Sequence, residues 1–153
     1  MQSQGGLVRI PIEVLRVEFE QSDHVRNFLV SYSETQLAQV QQTAACNAMH
    51  TIEQRLCRWL LMMHDRAETE ELSYTHEFSA HMLRADRKSV TLAAQAMQAA
   101  GLIGYHRGKI QIVDRPGLEK AACECYAMVQ QRFDEFLTPP PSAVQGNTKG
   151  RIN

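Results

Sequence analysis

Two adjacent cations, Arg87 and Lys88, open the stretch of this chain best equipped for chemistry. Asp86 precedes them and can cap a helix, its carboxylate accepting from a free backbone N–H. That helix keeps Val90, Ala94 and Met97 on one face and leaves Arg87, Lys88, Thr91, Leu92 and Gln95 pointing elsewhere. Just upstream, Thr75 can cap a shorter helix, with Glu77 favourable in its first turn. Phe78, Met82 and Leu83 supply the apolar stripe of this shorter helix. Gly101 can end the second helix by taking positive φ. Residues 102–113 then read as two strands around a turn at Arg107-Gly108, with Tyr105, Ile110 and Ile112 alternating with polar residues. Arg107 and Lys109 stand at the tip. From Arg84 to Lys109 there are five Lys or Arg and one Asp. Helix-turn-helix spacing alone equally describes an ordinary helical hairpin with a solvated basic start. The basic hairpin tip shifts the balance: a basic helix start beside it suits phosphates on both sides of a nucleic-acid groove.

Sulfur and imidazole are the other candidates. Cys46 and His50 stand at i, i+4 on a helical stretch, the spacing of a metal-ligand pair. No second pair stands at matching spacing, since Cys123 and Cys125 are two apart and not a CxxC. A break expected near His50 would also disturb the pair's geometry. Neither a metal nor any other cofactor is therefore expected. A thiolate–histidine catalytic pair is equally unsupported, and no Gly-rich phosphate loop appears. An enzyme ranks well below a nucleic-acid reader. The four cysteines show no disulfide framework, so reduced thiols of a cytoplasmic protein are expected.

These residues need elements to hold them. At 153 residues the chain can form one domain, or a small domain with an appendage. Its 44% hydrophobic and 22% charged content is that of a globular protein. The net charge of −1 gives no global attraction to nucleic acid, so binding must rest on the local patch. The first fifty residues are acidic and are not expected to touch DNA. No apolar run approaches the ~20 residues of a membrane helix, and the start lacks a secretory signal pattern.

In chain order, residues 7–10 read as a short strand. Pro11 then suits the first turn of a helix carrying Ile12, Leu15 and Phe19. Ser22 can cap another short helix. Ser33-x-x-Gln36 reads as a capping box opening a helix to about Asn47. Its narrow stripe of Leu37, Val40, Ala44 and Ala48 suits a two-helix seam between subunits, with packing inside one chain as the plainer reading. A second capping box, Thr51-x-x-Gln54, opens an amphipathic helix carrying Ile52, Leu56, Trp59, Leu60 and Met63. Residues 67–71 read as a solvated loop, and 118–137 as one closing helix stopped by Pro139-Pro140-Pro141. The tail from 138 to 153 is expected to be disordered.

This order of elements resembles the Crp/Fnr transcription regulators. The resemblance rests on Arg55-Leu56-x-Arg58-Trp59-Leu60-Leu61, Thr75-x-Glu77-Phe78, Arg87-x-Ser89-Val90-Thr91, Ala100-Gly101-Leu102-Ile103 and Asp114-x-x-Gly117-Leu118-Glu119. It implies a mainly α fold with a small β-hairpin wing, a winged helix-turn-helix preceded by a long dimerisation helix. Residues 1–32 would be a remnant of an effector domain, 33–50 the dimerisation helix and 51–137 the DNA-binding domain. Arg87, Lys88 and Leu92 would face base edges. Thr75, His76 and Ser89 would lie near phosphates, and His50 at the hinge. The sequence lacks the bulk of a cyclic-nucleotide β-roll and the family's iron–sulfur cysteine set. It also places Ser79 at a position usually apolar and Arg84 where the turn glycine usually stands. The expected partners are double-stranded DNA and a second copy of the chain, with RNA polymerase a further candidate and no membrane. The rival within this resemblance is an interaction-only fragment that pairs with a full-length regulator.

Overall fold

The computed structural model describes residues 6–67, 71–106 and 108–138. Its elements run α1 (Ile12–Gln21), α2 (Asp23–Met49), α3 (Ile52–His64), β1 (Glu71–Leu72), α4 (His76–Leu83), α5 (Arg87–Ala99), β2 (Ile103–His106), β3 (Lys109–Ile112), α6 (Arg115–Ala121) and α7 (Cys125–Leu137). The fold is mainly helical with one small antiparallel sheet in the order β1-β3-β2.

Helix α3 is the hub. Residues 55 to 62 are buried without interruption, because α4, α5, α6 and α7 all pack around it. Leu56, Leu60 and Leu61 meet Val90, Ala93, Ala94 and Met97 of α5 and Leu118 of α6 in one core. Trp59, Tyr74 and Phe78 stack into an aromatic cluster on the α4 side, with centroids 5.0 to 6.2 Å apart. Each such pair contributes about 0.5–1.5 kcal/mol beyond its buried area. The capping box at Thr51 is present in both directions: Gln54 N–H donates to Thr51 Oγ1 at 3.4 Å, and Thr51 N–H to Gln54 Oε1 at 3.2 Å.

Several sequence expectations are corrected. Residues 7–10 form no strand; they are exposed chain outside any helix or strand among the described residues. Ser33 opens no helix. It lies inside the 27-residue α2, capped by Ser22, and its hydroxyl donates back to the Leu29 carbonyl at 2.7 Å. No Gly or Pro stands between Asp23 and Met49 to interrupt the backbone ladder. The boundary drawn at residue 33 therefore falls within one continuous helix. The closing helix is two helices, because Ala122 takes an extended ψ of 159° between α6 and α7. Glu71, expected in a loop, pairs with Gln111 as part of a third strand. Of the expected disordered tail, all but Thr138 lies outside the described residues.

Candidate nucleic-acid interface

Helices α4 and α5 are joined by Arg84, Ala85 and Asp86. Thr75 caps α4, accepting from Phe78 N–H at 3.1 Å, and Asp86 caps α5, accepting from Ser89 N–H at 2.8 Å. Arg84 ends α4 in the left-handed region, at φ 52° and ψ 45°, and is the one non-glycine positive φ among the described residues. Its Cβ makes that conformation costly, where a glycine would adopt it freely. The end of α4 is also held from below: buried Arg55 of α3 donates through Nη2 to the Leu83 carbonyl. Ser79, fully buried among apolar neighbours, is satisfied by donating to the Thr75 carbonyl at 3.1 Å.

Helix α5 sorts its residues cleanly. Val90, Ala93, Ala94 and Met97 face the core, while Arg87, Lys88 and Leu92 are exposed on its N-terminal half. The wing follows directly. Tyr105 pairs with Ile110 and His106 with Lys109 across β2 and β3, and Gly108 takes φ 81° in the turn. The site residues fall into three groups. Arg87, Lys88 and Leu92 project to solvent. Arg107 lies outside the described residues.

The remaining candidates already have partners. Ser89 donates from its hydroxyl to Asp86, and Thr75 spends its oxygen on the α4 cap. Thr91 Oγ1 donates to the Arg87 carbonyl at 2.8 Å and lies 3.2 Å from His76 Nδ1. Lys109, on the wing, meets Glu71 Oε2 at 2.6 Å.

His76 is therefore more than a surface residue. Its ring stacks on Tyr105 at 4.3 Å, and so ties the start of α4 to both α5 and the wing. Burial, and then the charge of Arg87, lower its pKa below the ordinary histidine value. Both effects favour the uncharged ring beside Arg87 at the start of α5. This bridging role was not read from the sequence, where His76 carries no signal beyond its place after a cap.

A second gathering of side chains lies elsewhere. Cys46 and His50, at the end of α2, come together with Cys123 and Cys125, and their ligand atoms all lie within 4.8 Å of one another. The argument that Cys46 and His50 lack a second pair thus fails in space. The break between α6 and α7 turns Cys123 and Cys125 toward α2, which no spacing rule anticipates.

The candidate dimerisation residues Leu37, Val40, Ala44 and Ala48 all lie on the exposed side of α2, with Leu37 57% and Val40 62% exposed. The opposite side packs on α7. No helix among the described residues is long and apolar enough to cross a membrane.

Comparison with known proteins matches residues 54–121 to the Crp-like helix-turn-helix domain. A solved structure described as a transcriptional regulator of the Crp/Fnr family, from Eubacterium rectale, is 28% identical with a TM-score of 0.57. The match covers 73% of this chain and 52% of that one. FixK2 from Bradyrhizobium japonicum matches at 16% identity and a TM-score of 0.68, covering 74% of this chain and 60% of that one. The chain thus spans somewhat over half the length of these structures. Among curated proteins none matches.

Proposed function

We propose, since residues 54–121 match the Crp-like helix-turn-helix domain, that this chain is a sequence-specific DNA-binding transcription regulator. It reads the major groove with the N-terminal half of α5 and lays its wing along the backbone. The observation that carries this reading is the sorting of α5: its core face is buried, while Arg87, Lys88 and Leu92 stand free at the end that enters a groove. Arg87 can donate twice to guanine O6 and N7, Lys88 makes a single, less directional contact, and Leu92 offers apolar surface to a thymine methyl. Thr75 and Ser89 stay near phosphates as N-cap neighbours, where backbone N–H groups also point outward. His76 acts as the brace that sets α5 against the wing.

The protein works as a homodimer through the exposed stripe of α2, so two α5 helices meet successive turns of the duplex. That stripe equally favours a second reading, in which the chain pairs with a longer regulator and contacts no DNA itself. Selection from a random duplex pool, followed by gel shift of the pure chain at two salt concentrations, separates them. The expected result is a common selected motif bound by a dimer, with an affinity that falls steeply with salt, log K changing by about 0.9 per phosphate contacted. A monomer with no affinity at low salt overturns the proposal.

A further inference from the structure

We propose that Cys46, His50, Cys123 and Cys125 bind one Zn²⁺ ion in a tetrahedral three-cysteine, one-histidine centre that locks the end of α2 to the start of α7. The distances already have the edge lengths of such a centre. With Zn–S near 2.3 Å and Zn–N near 2.0–2.1 Å, a tetrahedron has S–S edges of about 3.8 Å and S–N edges of about 3.6 Å. Cys46 Sγ and Cys123 Sγ are 3.6 Å apart, and Cys125 Sγ lies 3.6 Å from His50 Nδ1. All four ligand atoms fall within 4.8 Å of one another, so a single ion can sit among them with small adjustments. An iron–sulfur cluster would need its thiolates spread around several irons and sulfides, which this spacing does not provide.

The surroundings fit the same ion. Histidine ligands of zinc characteristically donate their second ring N–H to a carboxylate, which fixes the tautomer. Here His50 Nε2 lies 3.2 Å from Glu124 Oε1, leaving Nδ1 free to face the cysteines. Gln42 Nε2 donates to Cys125 Sγ at 2.9 Å. Charge supplies an independent argument. Arg58 of α3 is only 3% exposed, and its guanidinium donates to neutral groups, Thr43 Oγ1 at 3.4 Å and Met62 Sδ at 3.5 Å. Its Nε has no partner, and no carboxylate pairs with it among the described residues. A buried charge without a counter-charge is costly. Through Thr43, Arg58 reaches α2 one turn before Cys46. Three thiolates and one Zn²⁺ carry a net charge of −1, which is the counter-ion Arg58 otherwise lacks. On binding, the thiol protons pass to solvent. The three cysteines are buried, while the His50 side chain keeps 14% of its surface exposed and marks the entry side. Four protein ligands leave no open position, so the centre is structural.

The test does not involve DNA, so its failure is separate from failure of the regulator reading. Full-length chain purified under reducing conditions should carry one zinc per chain by elemental analysis. Replacement by Co²⁺ should give the visible bands of a tetrahedral, sulfur-rich site. Cys123→Ser with Cys125→Ser should lose both signals, while Cys57→Ser, whose thiol lies in the main core, should keep them. Glu124→Gln changes a largely exposed side chain and leaves the fold intact. It should weaken zinc binding by about 10–100-fold in competition with a chromophoric chelator. Four results overturn the proposal: a chain that takes up neither metal, an iron–sulfur chromophore, a metal-free chain joined by a Cys46–Cys123 disulfide, or an unchanged affinity in Glu124→Gln.

Discussion

Arg84 holds an αL conformation that a side chain with a Cβ tolerates poorly, and its own side chain is exposed. Arg84→Gly should therefore raise stability by about 0.5–1 kcal/mol, strain relief outweighing the added freedom of the unfolded chain. A lower midpoint of thermal unfolding would show that the turn costs arginine nothing. The strained position was legible only through the family resemblance, which puts Arg84 where the turn glycine usually stands. The use of His76 was not legible, because stacking on Tyr105 depends on where the wing folds back. Its lowered pKa has a signed consequence. The unfolded chain takes up a proton near pH 6.5 before the folded one does, so the stability His76 contributes is present above that pH and lost as pH falls toward the folded value. The stability difference between wild type and His76→Gln should shrink on acidification from pH 7 to 5; a constant difference would contradict it. On DNA, Arg87→Ala should cost about 1–3 kcal/mol on the selected site and much less on scrambled duplex. Lys109→Ala should weaken both alike and flatten the salt slope by at most about one unit, since Lys109 must leave Glu71 to reach a phosphate. Equal losses for both variants on every sequence would make Arg87 a plain surface cation.

Among elements, caps were the most legible feature and helix ends without caps the least. Thr51, Thr75 and Asp86 each accept a backbone N–H where their sequence context predicts it. Ser33 matched the same pattern and failed, because a serine hydroxyl can also return to the carbonyl four residues back inside a helix. The break after α6 had no signal, since Ala122-Cys123-Glu124 holds neither Gly nor Pro. It is imposed by what α6 and α7 pack against. Helix α6 is itself pinned at its start. Asp114 caps it by accepting from Gly117 N–H at 3.0 Å, and a Cβ on Gly117 would overlap both the Asp114 carboxylate and the Leu102 side chain. Arg115 then joins α6 to α3 and α7 through Asp65 at 2.7 Å and Tyr126 at 2.8 Å. Burial, and then the Asp65 carboxylate, push the Tyr126 phenol up to about 12, so it stays a donor at every working pH. Gly117→Ala should lower stability by about 1–3 kcal/mol in denaturant titration, the usual cost of forcing atoms into a packed site. No change would mean the α6 start relaxes freely.

At the scale of the whole molecule, the winged helix-turn-helix was legible because its pieces are contiguous in sequence. The cysteine–histidine gathering was not, because Cys46 and Cys123 meet across 77 residues of chain. The dimer reading belongs to this scale as well. Leu37→Glu with Val40→Glu puts charge on the exposed stripe while leaving the α7-facing side of α2 untouched. The variant should sediment as a monomer with unchanged helical content and lose most of its DNA affinity. A dimer of unaltered strength would place the seam elsewhere. The continuity of α2 has one more consequence. Its 27 residues make a rod about 40 Å long, held at one end by the cysteine–histidine corner and along its length by α7. Because Phe136 of α7 packs on Phe28 and Tyr32 of α2, the two helices tilt together, and a tilt of about 10° of this pair swings the far end of α2 through about 7 Å. In a paired assembly, the stiffness of this α2–α7 packing would govern the spacing between the two arms.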